Sequence, residues 1–234
     1  MTDFASVPFY DLFAEDSHVP RIRKTLPPIL AGVERSILEI GAGTGLITTS
    51  LADWTSAEIF ALEPSAGMRG VLLSRLGTRP DLLERVTVLP CDALSVNLDE
   101  PVEAIVMINV MYALEPGYRR RLWPVLAAQL EPGGLLTFTW RDGGPPATRP
   151  LQELLSRQVG RHTYTVSLEI LESNEKAYKA RYLYRVTQDD KVISEEEIEG
   201  YGYRPTWETL QGELVSAGFV QTDAPEGLLA WRRA

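Results

Sequence analysis

The chain has 234 residues, 44% apolar and 24% charged, the composition of an ordinary globular protein long enough for one large domain with an elaboration. Its 32 Asp and Glu outnumber 23 Lys and Arg, and a net charge of −9 repels a phosphate backbone unless the basic residues gather on one face. They bunch at Arg119-Arg120-Arg121 and Arg232-Arg233 without interleaved aromatics, so nucleic acid is not an expected partner.

A single cysteine, Cys91, excludes an internal disulfide, and with His18 and His162 as the chain's histidines no Cys and His metal cluster can assemble, so no metal is expected. The longest apolar run, "AIVMINVMYAL" at 104–114, is about half the ~20 residues of a spanning helix. The amino terminus carries no basic segment followed by an apolar one, so no membrane partner and a cytoplasmic setting are expected.

In chain order, residues 36–140 alternate short apolar or β-branched runs with segments of helical spacing. The runs are "SILEI" (36–40), "AEIFALE" (57–63), "RVTVLP" (85–90), "EAIVMIN" (103–109) and "LLTFTW" (135–140). "AGMRGVLLSRL" and "YRRRLWPVLAAQL" are among the helical segments between them. Continuous rather than alternating apolar runs are what strands buried on both faces look like. The fold expected is α/β, a doubly wound, mostly parallel Rossmann-like sheet. Gly41 ends the first strand, and Pro132-Gly133-Gly134 marks the turn into the fifth.

Beyond Trp140, "RDGGPPATRP" reads as a loop and 151–159 as a short helix. Residues 163–203 then alternate apolar with polar at period two, joined by the turn-like "NEK" and "QDDK". Tyr178, Ala180, Tyr182, Tyr184 and Val186 share one side; Lys179, Arg181 and Arg185 share the other. This predicts an antiparallel insertion after the fifth strand with one aromatic face. Thr206 caps a helix over "WETLQGELVSA", Gly218 stops it, and "FVQTD" and "LLAWRR" are closing strands around Pro225-Glu226-Gly227.

The chemistry sits in "LEIGAGTG", where a glycine-rich turn after the first strand lets a ligand approach the backbone at the sheet's carboxyl edge. A dinucleotide fingerprint would place its third glycine at 46, where Leu46 stands, and no Gly-Lys pair exists for a P-loop. Glu63 ends the second strand, where a carboxylate can accept from both hydroxyls of a ribose. Asp92 follows the third strand, where it can accept from an adenine amine. Each has a plainer reading: Glu63 as a surface acid, Asp92 as a helix cap.

Together "LEIGAGTG", "ALEPS", "PCDAL", "AIVMINVMYAL" and "LEPGGLLTFT" resemble the motifs of class I S-adenosylmethionine-dependent methyltransferases over roughly residues 8–140. The resemblance implies S-adenosyl-L-methionine as cofactor. Glu39 with Gly41, Ala42, Gly43 and Gly45 would flank its methionine part, Glu63 and Pro64 the ribose, and Asp92 and Ala93 the adenine. Asn109 and Val110 would run along it beside the acceptor, and "FYDLFAE" resembles the family's amino-terminal lid, with Tyr10 over the cofactor or else an ordinary packing residue. The implied organisation is a helical lid at 1–35, a cofactor-binding core at 36–150, the antiparallel acceptor-site insertion at 151–204, and a helix with closing strands at 205–234.

The fourth motif, "NVMY", lacks the paired prolines of nucleic-acid amino-methyltransferases, and the insertion resembles that of small-molecule enzymes. The expected function is therefore methyl transfer to a small-molecule acceptor, an amine ahead of a hydroxyl, by a monomer or homodimer. Tyr112, Trp140, Arg141, Tyr182 and Tyr203 are assigned to the acceptor, with Tyr164, Tyr184 and Tyr201 as further candidates for the cavity wall. Tyr10, Tyr112 and His162 are the catalytic candidates, His162 being either a base for an oxygen acceptor or an incidental strand-end residue, with His18 weaker. Three other readings stay open: a peptide or protein amine methyltransferase, a non-catalytic cofactor-binding protein, and a nicotinamide oxidoreductase.

Overall fold

The computed structural model describes residues 6–141 and 143–234; residues 1–5 of the expected lid and Asp142 lie outside them. The central sheet has seven strands in the order β10-β11-β5-β4-β1-β2-β3. Those strands are β1 (Ser36–Ile40), β2 (Glu58–Leu62), β3 (Val86–Leu89), β4 (Val102–Met107), β5 (Leu130–Thr139), β10 (Phe219–Thr222) and β11 (Leu228–Arg233). Neighbours among the first five run parallel, while β11 pairs antiparallel to β5 and β10 antiparallel to β11. The carboxyl-terminal strands thus complete the same sheet.

Alternate residues of each strand serve opposite faces, which explains the continuous apolar runs. On one face Ile37, Ile59 and Val106 pack against α2 (Val19–Thr25), α3 (Leu46–Trp54) and α4 (Ala66–Gly77) through Ile22, Leu51 and Leu72. On the other, Leu38, Ile105 and Phe138 meet α5 (Pro116–Gln129) and α6 (Trp207–Ser216) through Leu122, Leu126, Leu210 and Leu214. Each such fully buried aliphatic side chain contributes roughly 1.5–3 kcal/mol of transfer free energy. The arginine run in α5 is not wholly a solvated face: Arg119 is buried and makes a bidentate pair with Glu213 of α6 at 2.7 and 2.9 Å.

Strand β5 begins earlier than the glycines suggest. Val102 pairs with Leu130 and Ala104 with Leu135, so Pro132-Gly133-Gly134 bulges out of a strand that is already running.

A second sheet of four antiparallel strands follows: β6 (Arg149–Val159), β7 (His162–Ser173), β8 (Ala177–Gln188) and β9 (Lys191–Tyr203), in that order. Here the expected short helix at 151–159 is corrected. "LQELLSRQV" is rich in helix formers, yet it pairs with β7 from Gln152↔Leu168 to Val159↔His162. Ladder hydrogen bonds and side-chain packing from a neighbouring strand outweigh intrinsic propensity differences of under about 1 kcal/mol per residue. The β8–β9 turn carries Asp189 and Asp190 at φ 47° and 62°, the two left-handed residues of a tight hairpin. Tyr178 lies across Gly202 of the neighbouring strand, where a Cβ would come within 2.2 Å of its ring.

The outer face of this sheet is laced by cross-strand ion pairs, Lys179 with Glu199 at 2.7 Å, Arg185 with Glu195 at 2.6 Å, and Arg181 with Glu169. The inner face presents Tyr164, Val166, Tyr182 and Tyr184 to Phe9 and Phe13 of α1 (Val7–Ser17). Helix α1 is therefore clamped between the second sheet and the carboxyl edge of the first. No helix among the described residues is long and apolar enough to cross a membrane.

Candidate active site

Strand order reverses between β1 and β4, and the crevice at their carboxyl ends is where such sheets take ligands. The glycine loop turns there, with the Gly41 and Ala42 amides both donating to the Leu62 carbonyl at 2.9 and 3.0 Å. Its glycines have different tasks. A Cβ on Gly41 would meet Val110 at 2.7 Å, and one on Gly45 would meet Leu72 at 2.4 Å, so these two allow close packing. Gly43, at φ +59°, has nothing within 4 Å of that position, so its backbone opens onto free space. That is the surface a ligand would use.

Carboxylates surround the opening. Glu63 is 7% exposed; its two oxygens accept from the Gly43 and Ser65 amides, both at 2.8 Å, which orients the carboxylate and leaves each oxygen further lone pairs. Glu39 is 2% exposed and accepts from the Thr48 hydroxyl at 2.6 Å. Burial pushes its carboxyl up to about 7, and the charge of nearby Glu63 adds to the rise. Neither is ion-paired among the described residues. Asp92 caps the short turn Ala93–Ser95 through the Leu94 amide at 2.9 Å, as its plainer reading proposed, and the same oxygen accepts from the Tyr118 hydroxyl at 2.8 Å.

This donor set fits S-adenosylmethionine. Two buried carboxylates favour a cationic ligand group, and the pyrophosphate of a dinucleotide would meet them with repulsion.

Beside the opening lies a cavity of about 470 Å³. Tyr10, Asn109, Tyr112, Trp140, Arg141, Tyr182 and Tyr203 all line it, so residues from α1, from the segments that follow β4 and β5, and from β8 and β9 converge. Asn109 holds φ +57°, a conformation Asn tolerates better than most residues, and its amide donates to the Thr139 hydroxyl at 2.7 Å. The Tyr10 phenol is pushed up to about 12, first by burial and then by Asp11, Glu39 and Glu63. It stays protonated near neutrality and acts as a donor, not as a base.

Other expected residues stand elsewhere. His162 pairs with Val159 at the β6–β7 turn and is not part of the cavity wall, whereas His18 is. Tyr164 packs edge-on against Phe9 at 5.5 Å, and Tyr201 is 58% exposed, while Tyr184 joins the wall.

Sequence reasoning missed Asp11, Tyr118 and Arg204. Asp11 accepts from the Thr44 hydroxyl at 2.5 Å and from Arg75, which itself donates to the Thr44 carbonyl at 3.0 Å, tying α1 to the glycine loop and to α4. Tyr118 and Arg204 reach the site from α5 and from the end of β9, and no motif spacing advertises either.

Residues 37–134 match the family model of a methyltransferase domain. That stretch, from the first strand to the beginning of β5, is similar to a methyltransferase domain. An uncharacterized methyltransferase of Mycobacterium bovis is 31% identical over 144 residues, covering 58% of this chain and 55% of that protein, and one from Mycobacterium tuberculosis matches equally. The chain thus spans about half the length of these curated relatives. Among solved structures, DesVI of Streptomyces venezuelae superposes with a TM-score of 0.77 at 18% identity, covering 100% of both chains. A sugar N-methyltransferase of Streptoalloteichus gives 0.74 at 18%, covering 96% of this chain and 92% of its own. An amino pentose methyltransferase of Micromonospora echinaspora gives 0.70 at 18%, covering 96% and 91%. At these identities the likeness is one of fold alone.

Proposed function

We propose that the protein transfers a methyl group from S-adenosylmethionine to a small-molecule acceptor, an amine ahead of a hydroxyl. In this reading 1–35 is the lid, 36–150 the cofactor core, 151–204 the acceptor platform and 205–234 the closing elements of the core. The observation that carries it is the pair of buried carboxylates, Glu39 and Glu63, beside the open Gly43 backbone. When bound, S-adenosylmethionine supplies a methyl group on a positively charged sulfur.

Glu39 and the loop from Gly41 to Gly45 would hold the cationic methionine part, Glu63 and Pro64 the ribose, and Asp92 and Ala93 the adenine. Asn109, Val110 and Tyr10 would border the reacting centre, with Tyr10 donating a hydrogen bond and helping to exclude water. Trp140, Arg141, Tyr112, Tyr182 and Tyr203 would hold the acceptor in the 470 Å³ cavity, a volume suited to a small molecule rather than a folded protein. Orientation alone lowers such barriers by up to ~7–11 kcal/mol in favourable cases, so no covalent nucleophile is needed. A neutral amine attacks through its lone pair without losing a proton, whereas an acceptor that arrives as an ammonium must first give one up, and His18, in the cavity wall, is better placed than His162 to take it. The description of two structural neighbours as sugar N- and amino pentose methyltransferases supports an amine.

Calorimetric titration with S-adenosylmethionine, S-adenosylhomocysteine and NAD tests the reading, alongside the Glu63→Ala variant. Binding of the first two, weakened about tenfold or more by loss of the charged acceptor, is expected. Binding of NAD alone would overturn it.

A further inference from the structure

The cavity's wall is charged in one sense only. Arg21, Arg141 and Arg204 line it, and among the described residues no Asp or Glu does, although the chain as a whole carries a net charge of −9. Arg204, just past the end of β9, stands where the second sheet meets the loop after β5. There Arg204 sits over the Tyr178 ring at 6.0 Å, with one weak backbone contact, Nη1 to the Gly144 carbonyl at 3.5 Å. The half-buried Arg149, at the start of β6, points its buried Nε to no hydrogen-bond partner among the described residues. Both arginines act on the Tyr182 phenol, which itself lines the cavity.

Neighbouring basic side chains are used differently. Lys179, Arg181 and Arg185 on the outer face of the same sheet are each taken up by a glutamate. Arg149 and Arg204 have no such partner among the described residues, and a desolvated guanidinium with an unused donor is costly unless an anion completes it.

We infer that the methyl acceptor carries an anionic group, a phosphate or a carboxylate, held near Tyr182 by Arg204 of the cavity wall and by Arg149 next to it, while its nucleophile faces Asn109 and Tyr10. This rests on the methyltransferase reading and extends it by one recognition element. The planar guanidinium fork suits either oxyanion through paired N–H donors. Tyr178 and Tyr182 would flank the anion's attachment with aromatic surface.

The test uses the whole protein saturated with S-adenosylhomocysteine. Tryptophan fluorescence, to which Trp140 in the cavity wall contributes, is followed while inorganic phosphate, or separately acetate, replaces chloride at constant ionic strength. A saturable change with either anion is expected, phosphate indicating a phosphorylated acceptor and acetate a carboxylated one. R204Q and R149Q should each raise the half-saturating concentration about tenfold or more, R204K should restore much of it, and R161Q, at the exposed β6–β7 turn, should leave it unchanged. Absence of saturation with both anions, or saturation untouched in both R204Q and R149Q, overturns the inference. Titration of each variant with S-adenosylhomocysteine separates the two levels: if that ligand binds and the anions do not, the anion site alone is wrong, and if it fails to bind the wild-type protein, the methyltransferase reading falls first.

Discussion

Glu39 is the group whose replacement tests the electrostatics of the cofactor opening most directly. Its carboxyl is 2% exposed and is pushed up to about 7 from an ordinary 4.5, burial being the larger cause and Glu63 a smaller one, against the opposing hydrogen bond from Thr48. A folded-state value above the unfolded one means that the fold favours the protonated form. This contribution is fully present below about pH 4.5 and is lost as pH rises through about 7. Ionised at higher pH, Glu39 therefore costs the fold on the order of 3 kcal/mol, the free energy of moving a carboxyl between those two values.

Glu39→Gln keeps a carbonyl to accept from Thr48 and removes the charge. Urea unfolding of both proteins between about pH 4.5 and pH 8 should give a stability difference that grows by about 3 kcal/mol in favour of the variant, at unchanged m-value. A uniform offset from fitting the extra amide would shift every point equally without changing this slope. A difference flat across the window, or growing in favour of the wild type, would refute the reasoning. The same charge should act oppositely on the ligand: wild-type affinity for cationic S-adenosylmethionine should strengthen as pH rises through about 7, and the variant should lose that dependence. Stability given up at a functional site in this way is common in binding proteins.

Tyr118→Phe removes the hydroxyl that donates to Asp92 at 2.8 Å, and should weaken S-adenosylhomocysteine by about 1 kcal/mol in calorimetry while leaving an adenine-lacking analogue unaffected; equal losses would mean that Tyr118 only packs. The site around Asp11 is partly exposed, 35% for its side chain and 28% for that of Arg75, so Asp11→Ala should lower global stability by less than about 1 kcal/mol. It should nonetheless raise the stopped-flow dissociation rate of S-adenosylhomocysteine several-fold, because α1 loses its tie to the glycine loop; an unchanged rate would deny α1 a role in retaining the ligand.

How legible each part was follows the range of the forces involved. The central sheet was readable because strands buried on both faces must be apolar along their whole length, and the glycine loop because close approach to Val110 and Leu72 forbids a side chain at Gly41 and Gly45. The alternation of Tyr178, Tyr182 and Tyr184 with Lys179, Arg181 and Arg185 carried the second sheet's two faces, since strand geometry sends successive residues to opposite sides. Residues 151–159 misled because their local preference is helical, while the decisive interactions come from β7, whose pairing is invisible until the register is known.

The sequence by itself thus determined the elements outside residues 151–159, the order of the motifs and the residue types at the carboxyl edge, all set by neighbours close along the chain. Only the tertiary structure decided that α1 lies over that edge through Asp11, that Tyr118 meets Asp92 across 26 residues, and that Arg204 and His18 face the cavity while His162 does not. Those placements depend on side chains converging from distant segments, and composition and periodicity carry no information about which distant segments will meet.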